Sequence, residues 1–162
     1  MNPMETGIKE KIHALLKEIN KDLTLLNDPF YVIGASALIL SGLEADDTFD
    51  IDLLTSARDA DLLKTIWKDR QLNTYVPADG HQFRSNFGRF GFGDMDIEVM
   101  GDLEVCRNEE WIPLKVDEPV KINGDGFEVH VPSLADQKRI LHFFGRPKDH
   151  QKIRLIEKYL EM

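Results

Sequence analysis

Apolar residues recur every three or four positions near the start of the chain, and this spacing predicts an amphipathic helix over residues 5–26. The same kind of pattern predicts further helices over residues 35–42, 57–70, 133–144 and 147–160. Ser133 is a suitable N-cap for the fourth helix. Gly145 is expected to end that helix and Pro147 to begin the last one, so the chain should close on a helical hairpin.

Short apolar or alternating runs predict strands over residues 30–33, 50–54, 94–100, 120–122 and 127–131. The last two strands flank Asn-Gly-Asp-Gly at residues 123–126, which is typical of a tight hairpin turn. Residues 73–76 are a further candidate strand, residues 44–49 form an acidic loop, and the Gly- and Phe-rich residues 81–93 suggest a hairpin or a mobile loop. Because the strands cluster between helices, we expect an α+β fold with a central mixed sheet flanked by helices.

The length of 162 residues suits one domain. It would comprise an N-terminal helix in residues 1–27, a sheet-containing core in residues 30–131 and C-terminal helices in residues 133–162. With 42% apolar and 30% charged residues, the chain should be globular. It contains no apolar run near the ~20 residues that span a bilayer and no secretory signal pattern at its start. Its single cysteine, Cys106, agrees with a reducing cytoplasm.

The net charge of −9 disfavours binding to long nucleic acid, because a phosphate backbone would be repelled in the absence of a basic patch. No dense stripe of Lys and Arg interleaved with aromatic residues offers such a patch. A cluster of carboxylates that binds a divalent cation would contribute to an acidic excess of this kind. Solvated surface carboxylates account for most of it.

Two short motifs have the residue types of a phosphate and metal site. Gly34 and Ser36 lie where a predicted strand meets a helix, and such a turn either cradles a phosphate or is simply a turn capped by Ser36. Asp50 and Asp52 lie on one face of a predicted strand because side chains alternate along a strand. Two adjacent carboxylates repel each other unless a cation lies between them, and Mg²⁺ suits such a pair, although two solvated acids on an exposed strand would look the same.

A second acidic strand strengthens the metal interpretation. Asp94, Asp96 and Glu98 alternate with apolar residues and share one face of the strand predicted at residues 94–100. If this strand lies beside the Asp50 strand, three carboxylates could hold two metal ions about 4 Å apart, the arrangement used for in-line phosphoryl displacement. The alternative is an ordinary solvent-facing side of an antiparallel strand.

Taken together, Gly34-Ala35-Ser36, a helix, Asp50-Ile51-Asp52 and a later acidic strand resemble the DNA polymerase β-type nucleotidyltransferase superfamily, in particular its small bacterial members. The segments 131–134 and 145–149 resemble the helical tail of the same small proteins, so the resemblance brackets about 120 residues. The resemblance implies a nucleotidyltransferase fold. It also implies the transfer of a nucleoside monophosphate from a nucleoside triphosphate such as ATP to a hydroxyl, with release of pyrophosphate.

By position, the resemblance assigns the site residues as follows. Asp50 and Asp52 would bind Mg²⁺, and Asp96 would be the third carboxylate, with Glu98 as the alternative for that role. Gly34 and Ser36 would hold the triphosphate. Basic side chains that could neutralise phosphate charge are Arg146 and Lys148, with Arg84 and Arg89 as weaker candidates.

The sequence departs from the family pattern in two places. Ala35 occupies the second position of the Gly-Gly or Gly-Ser turn, and acidic residues at 44–47 replace a base that small relatives often carry before the Asp-x-Asp strand. Two hypotheses therefore stand. One is an active Mg²⁺-dependent enzyme with a small-molecule or protein acceptor, and the other is a non-catalytic binding or regulatory module, such as one half of a toxin–antitoxin pair.

Overall fold

The computed structural model describes residues 7–45, 50–72 and 80–162. Within these ranges the helices are α1 (Ile8–Leu23), α2 (Gly34–Leu40), α3 (Ala57–Ile66), α4 (Leu134–Phe144) and α5 (Pro147–Leu160), with a 3₁₀ turn at Lys68–Arg70. The strands are β1 (Tyr31–Ile33), β2 (Asp50–Thr55), β3 (Phe83–Gly91), β4 (Asp96–Arg107), β5 (Glu110–Pro113), β6 (Pro119–Gly124) and β7 (Phe127–Pro132). No helix in the described part of the chain is long and apolar enough to cross a membrane.

The main sheet is mixed, as predicted. Its strand order is β1-β2-β4-β3, and β5 pairs with the far end of β4. The pair β2–β4 is parallel, whereas β1–β2, β3–β4 and β4–β5 are antiparallel. Strands β6 and β7 form a separate antiparallel hairpin, as the Asn-Gly-Asp-Gly sequence predicts, and Gly124 pairs with Phe127. A parallel pair at the centre matters for the site, because it brings the starts of β2 and β4 to the same edge of the sheet.

Alternation along β2 and β4 separates the two faces of the sheet. One face buries apolar side chains against α1 and α3, and these are Ile51, Leu53, Ile97, Val99, Ile12, Leu16 and Leu63. On the other face, Ile33, Leu54 and Leu103 pack against Ile140 and Phe144 of α4. The acidic residues of β2 and β4 lie on this second face, because they alternate with the first set. The site therefore opens on the side that carries the C-terminal helices.

The C-terminal helices begin and end where the sequence predicts. The Ser133 hydroxyl caps α4 by accepting a hydrogen bond from the Asp136 backbone N–H at 3.1 Å. Gly145 ends α4 in the left-handed region, with φ 70°, and Pro147 opens α5. The helical hairpin is therefore confirmed.

Several other predictions are confirmed only in part. The first helix runs over Ile8–Leu23 within the described residues, shorter than residues 5–26, because the chain turns after Thr24. The loop interpretation of residues 81–93 is wrong, since Phe83–Gly91 is strand β3, held by pairing with β4 and by the fully buried Phe90. The segment is one strand of the hairpin that β3 forms with β4, rather than a hairpin in itself. The candidate strand at residues 73–76 and residues 46–49 of the acidic loop lie outside the described residues.

The connection between α1 and β1 is fixed to the start of α3 by carboxylates. Asp28 accepts hydrogen bonds from the Ser56 hydroxyl at 2.6 Å and from the Arg58 guanidinium at 2.7 and 2.8 Å. The buried Asp59 carboxylate accepts hydrogen bonds from both backbone and side chain of Asn27 and from the Asp28 backbone N–H. These contacts hold the chain in position as it enters the sheet.

This connection predicts a pH-dependent contribution to stability. The hydrogen bonds from Arg58 and Ser56 lower the pKa of Asp28 to about 2. A lowered folded-state pKa means that Asp28 stabilises the protein above the unfolded-state pKa of about 3.9, and that this contribution is lost as the pH falls toward 2. Urea unfolding should therefore show Asp28→Asn less stable than wild type at pH 5–7, with the difference shrinking below about pH 4. Asp125→Asn, at an exposed hairpin tip, is the reference substitution, and a difference that stays constant with pH would contradict the prediction.

Candidate active site

The acidic residues of β2 and β4 are aligned by the parallel pairing of the two strands. Asp50 lies opposite Asp96, and Asp52 lies opposite Glu98. Because the pairing is in register and side chains repeat every two residues, all four carboxylates project from the same face. The predicted adjacency of the two acidic strands, on which the metal interpretation depends, is therefore observed. Asp94 lies in the turn before β4, outside this array.

Three of these carboxylates come together. Oxygen atoms of Asp50, Asp52 and Glu98 all lie within 4.8 Å of one another, and the three side chains are partly buried. Carboxylate oxygens at this spacing are the donor set that a hard divalent cation such as Mg²⁺ prefers. Asp96 does not join this group. The geometry thus groups Glu98, the alternative in the sequence-based prediction, with Asp50 and Asp52. Asp96, the first choice for the third carboxylate, lies outside this group.

The three carboxylates repel one another. Burial raises the pKa of Asp52 well above its usual value, and the charges of Asp50 and Glu98 raise it further. A hydrogen bond with Glu98 acts in the same direction, while Lys152 opposes it. In chemical terms, the ionised cluster lacks sufficient positive charge, and a bound cation would supply it.

Arg89, on the neighbouring strand β3, supplies part of that charge. Its Nη2 lies 2.9 Å from Asp96 Oδ2, and its Nη1 contacts Glu98 Oε1 and lies 3.4 Å from Asp50 Oδ2. Burial opposes the charge of Arg89, but Glu98, Asp96 and Asp50 outweigh it and raise the pKa of the guanidinium. Arg89 was a weak candidate for phosphate binding on sequence grounds, and the structure places it at the centre of the acidic array.

Lys152, on α5, is the site residue that the sequence analysis missed. Burial lowers the pKa of its ammonium group, and the charges of Asp149 and Asp52 oppose that shift. The charges of Lys152, on α5, and Asp52, on β2, therefore attract each other. No pattern singles it out, because α5 also carries Lys148, Arg154 and Lys158. The one available signal was the basic turn at the start of α5, which identified the correct region.

The Gly34 turn lies directly beside Asp52. Gly34 has φ +74°, and a Cβ atom added there would lie 2.7 Å from Asp52 Oδ2. The Ser36 hydroxyl is buried and donates a hydrogen bond to the Asp50 backbone carbonyl at 2.9 Å. Ser36 thus faces the protein and fixes the start of β2, while Gly34 keeps the space beside Asp52 open.

This geometry predicts a selective effect of Gly34→Ala. The positive φ alone costs about 1–2 kcal/mol for a residue with a Cβ, and the contact with the carboxylate displaces Asp52 in addition. We expect loss of stability together with loss of Mg²⁺-dependent stabilisation in thermal unfolding. Gly93→Ala is the matched control, because Gly93 also has positive φ but has nothing within 4 Å of an added Cβ. Equal retention of the Mg²⁺ response in both variants would contradict the prediction.

The predicted phosphate ligands at the start of α5 differ in their surroundings. Arg146 binds Asp149 through Nε at 2.6 Å and through Nη2 at 3.1 Å, and its guanidinium lies over the rings of Phe83 and Phe144. Asp149 also accepts a hydrogen bond from the Arg146 backbone N–H at 3.1 Å, so its carboxylate caps the first turn of α5. Lys148 is exposed. Arg146 therefore has a structural role in this turn, whereas Lys148 faces solvent.

Arg84, the other weak candidate, lies away from the cluster. Its Nε donates a hydrogen bond to Glu104 at 2.7 Å, and its guanidinium packs over the Trp111 ring. It occupies the same strand as Arg89 but pairs with the far end of β4.

Comparison with known proteins supports the fold assignment. No protein-family model and no curated protein matches the sequence. One similar solved structure is TM1012 from Thermotoga maritima, provisionally described as a nucleotidyltransferase. It has a TM-score of 0.73 at 20% identity, with 99% of both chains covered. The lincomycin-bound lincosamide antibiotic adenylyltransferase LnuA has a TM-score of 0.58 at 12% identity, covering 94% of this chain and 98% of LnuA.

A third structure is ANT(2″)-Ia in complex with adenylyl-2″-tobramycin, with a TM-score of 0.53 at 15% identity, covering 93% of this chain and 89% of that one. At these identities the comparisons establish the fold rather than the reaction. The protein has the nucleotidyltransferase fold, with an acidic triad at the edge of its central sheet.

Proposed function

We propose that the protein is a Mg²⁺-dependent nucleotidyltransferase that moves a nucleoside monophosphate from a nucleoside triphosphate to a hydroxyl of a small molecule or a protein. The observation that carries this proposal is the in-register parallel pairing of β2 and β4. It brings oxygen atoms of Asp50, Asp52 and Glu98 within 4.8 Å of one another on a nucleotidyltransferase fold. A purely solvated acidic strand would require neither this convergence nor partial burial.

The residues fit a divalent metal ion. Asp50, Asp52 and Glu98 provide oxygen donors from two strands. Burial, together with the charges of Asp50 and Glu98, raises the pKa of Asp52, and a bound cation would offset the repulsion among these charges. When bound, Mg²⁺ would neutralise phosphate charge and lower the cost of negative charge developing on the reacting oxygens. We assign Glu98, rather than Asp96, as the third carboxylate, because Glu98 has an oxygen atom within 4.8 Å of those of both Asp50 and Asp52 and Asp96 is not part of this group.

In the proposed reaction, the acceptor hydroxyl attacks the α-phosphorus, the bond to the leaving pyrophosphate breaks, and the hydroxyl proton passes to the third carboxylate, Glu98.

The other side chains have supporting roles in this proposal. The open turn at Gly34 leaves room for the triphosphate beside Asp52. Lys152 and the exposed Lys148 on α5 offer positive charge toward the phosphates. Ser36 and Arg146 act through position, by fixing β2 and α5 respectively.

A small hydroxylated acceptor and an ATP donor suit this site best. LnuA is bound to lincomycin, and ANT(2″)-Ia is in complex with an adenylylated tobramycin, so two proteins of this fold act on or bind compact polyhydroxylated molecules. The net charge of −9 disfavours long nucleic acid as the acceptor. These observations support a small-molecule acceptor over an RNA or DNA end.

The direct test is transfer of label from α-³²P nucleoside triphosphates. Each of the four ribonucleotides is incubated with the protein, with Mg²⁺ or EDTA, and with a lincosamide, an aminoglycoside or the protein alone as acceptor. We expect Mg²⁺-dependent label transfer that falls by about 1000-fold or more in Asp52→Asn, because the metal site contributes several kcal/mol to catalysis. Asp102→Asn replaces an exposed carboxylate on the same strand as Glu98 and should leave transfer unchanged.

Transfer that persists in Asp52→Asn would contradict the proposed metal site. Mg²⁺-dependent nucleotide binding without transfer to any acceptor would favour the alternative hypothesis, in which the fold serves as a non-catalytic binding or regulatory module.

A further inference from the structure

Arg89 makes an unusual set of contacts for a residue in an acidic site. Its side chain is only 15% exposed and contacts three carboxylates, on Asp50, Asp96 and Glu98. Two of these, Asp50 and Glu98, belong to the triad that we assign to the metal. The positive charge of Arg89 thus already neutralises part of the negative charge that a bound metal ion would neutralise.

The contacts of Arg89 divide between the two ends of its guanidinium. Nε and Nη2 both bind Asp96 Oδ2, at 3.1 and 2.9 Å. Nη1 contacts Glu98 Oε1 of the triad and lies 3.4 Å from Asp50 Oδ2. Asp96 therefore binds the guanidinium through one edge, independently of the contacts that Nη1 makes with the triad.

We propose that Arg89 is an internal counter-cation of the metal-free site, which a divalent metal ion displaces from Asp50 and Glu98 while Asp96 retains the guanidinium. This proposal rests on the proposed function, because it requires that the triad bind a metal ion. Nη1 and a metal ion compete for the same two carboxylates and repel each other, so both cannot neutralise Asp50 and Glu98 together. Asp96 gains a specific role as the anchor that keeps Arg89 beside the site after displacement.

The proposal makes Arg89 a regulator of metal affinity. In the metal-free protein, Arg89 stabilises the folded state by offsetting the repulsion among the carboxylates. For the same reason it lowers the apparent affinity for metal, since only the fraction of molecules with Nη1 displaced is competent to bind. Once displaced, the guanidinium, still bound by Asp96, lies at the edge of the site, where it can donate hydrogen bonds to incoming phosphate oxygens.

The test compares Arg89→Gln with Arg84→Gln. Arg84 lies on the same strand and also pairs with a carboxylate of β4, but lies away from the triad, so it is a matched control. Free Mn²⁺ is measured by electron paramagnetic resonance during titration of each protein with Mn²⁺ alone, and thermal unfolding is recorded with and without Mg²⁺. We expect Arg89→Gln to unfold at a lower temperature without metal and to bind Mn²⁺ about tenfold more tightly, the factor for a competent state populated about a tenth of the time. Arg84→Gln should leave the Mn²⁺ affinity unchanged.

A second measurement separates displacement from a simple effect of charge. The ¹⁵N side-chain signals of the arginines are recorded in wild type during titration with Mg²⁺. Displacement predicts that the Arg89 Nη signals shift and exchange faster with solvent as Mg²⁺ binds, while the Arg84 signals do not change. Tighter Mn²⁺ binding by Arg89→Gln with unchanged Arg89 signals in wild type would overturn displacement, and so would weaker Mn²⁺ binding by the variant. Absence of Mn²⁺ binding in both wild type and Arg89→Gln would instead contradict the proposed function itself.

Discussion

Asp52→Asn is expected to raise the thermal unfolding midpoint of the metal-free protein and to abolish its stabilisation by Mg²⁺. Asp52 lies close to Asp50 and Glu98 in a partly buried position, and burial together with the charges of these two residues raises its pKa. Removing one negative charge relieves this repulsion. A gain of about 1 kcal/mol corresponds to a rise of about 2–4 °C for a chain of this size.

The same substitution removes a metal ligand. Wild type at a hundredfold excess of Mg²⁺ over its dissociation constant should gain about 2.7 kcal/mol, or roughly 5–11 °C. Asp52→Asn should show no such rise, so the two proteins should exchange their order of stability when Mg²⁺ is added. Asp102→Asn should follow wild type in both conditions. If Asp52→Asn destabilised the metal-free protein and kept the Mg²⁺ response, the triad would have a structural role and the proposed site would be wrong.

Asp149→Asn is expected to destabilise the protein more than the other substitutions proposed near the site. The Asp149 carboxylate is fully buried and receives three hydrogen bonds from Arg146, two from the guanidinium and one from the backbone N–H. Removing the charge of one partner in a buried pair is strongly destabilising, and the hydrogen bond by which Asp149 caps the first turn of α5 is weakened as well. Because Arg146 is itself 21% exposed, we expect a loss of about 2–3 kcal/mol, or a fall of roughly 4–12 °C.

Urea unfolding measures this change in free energy, provided that the denaturant dependence stays constant between variants. Lys148→Gln, one residue away and exposed, is the control and should change stability by no more than about 0.5 kcal/mol. A loss below about 1 kcal/mol for Asp149→Asn would show that the Arg146 pair contributes little, and Arg146 would return as a candidate phosphate ligand.

The elements around the site could be predicted from sequence because each has a strong local signal. The alternation in Asp50-Ile51-Asp52-Leu53 fixes both a strand and the face on which the acids lie. Ser133, Gly145 and Pro147 define the helical hairpin through capping and backbone preferences that need no tertiary contact.

The choice between Asp96 and Glu98 could not be made from sequence. Both lie on the same face of β4, and only the positions of their carboxylates relative to Asp50 and Asp52 distinguish them. Those positions depend on the pairing of two strands that lie far apart in the chain. Lys152 was not predicted for the same reason, because its interaction with Asp52 depends on how α5 packs against α2 and α4.

Strand β4 shows how a tertiary contact can mislead a local prediction. The strand was expected to stop near Gly101 but continues to Arg107. A Cβ at Gly101 would lie 2.8 Å from both Ala60 Cβ and the Ser56 carbonyl oxygen, so the glycine is required by the close approach of α3. Strand β5 was missed because its turn uses Asn108 and Glu109 at positive φ, without the glycine that usually marks such a hairpin.

The proposed active site is tested most directly by measuring Mg²⁺-dependent nucleotide binding at the triad. Thermal unfolding of wild type and Glu98→Gln is recorded with each of the four ribonucleoside triphosphates, with and without Mg²⁺, and with Asp102→Asn as the control. We expect the unfolding midpoint of wild type and of Asp102→Asn to rise by roughly 5 °C or more when both Mg²⁺ and a triphosphate are present. This rise should be lost in Glu98→Gln. A rise of equal size in Glu98→Gln, or no rise in wild type with any triphosphate, would contradict the proposed active site.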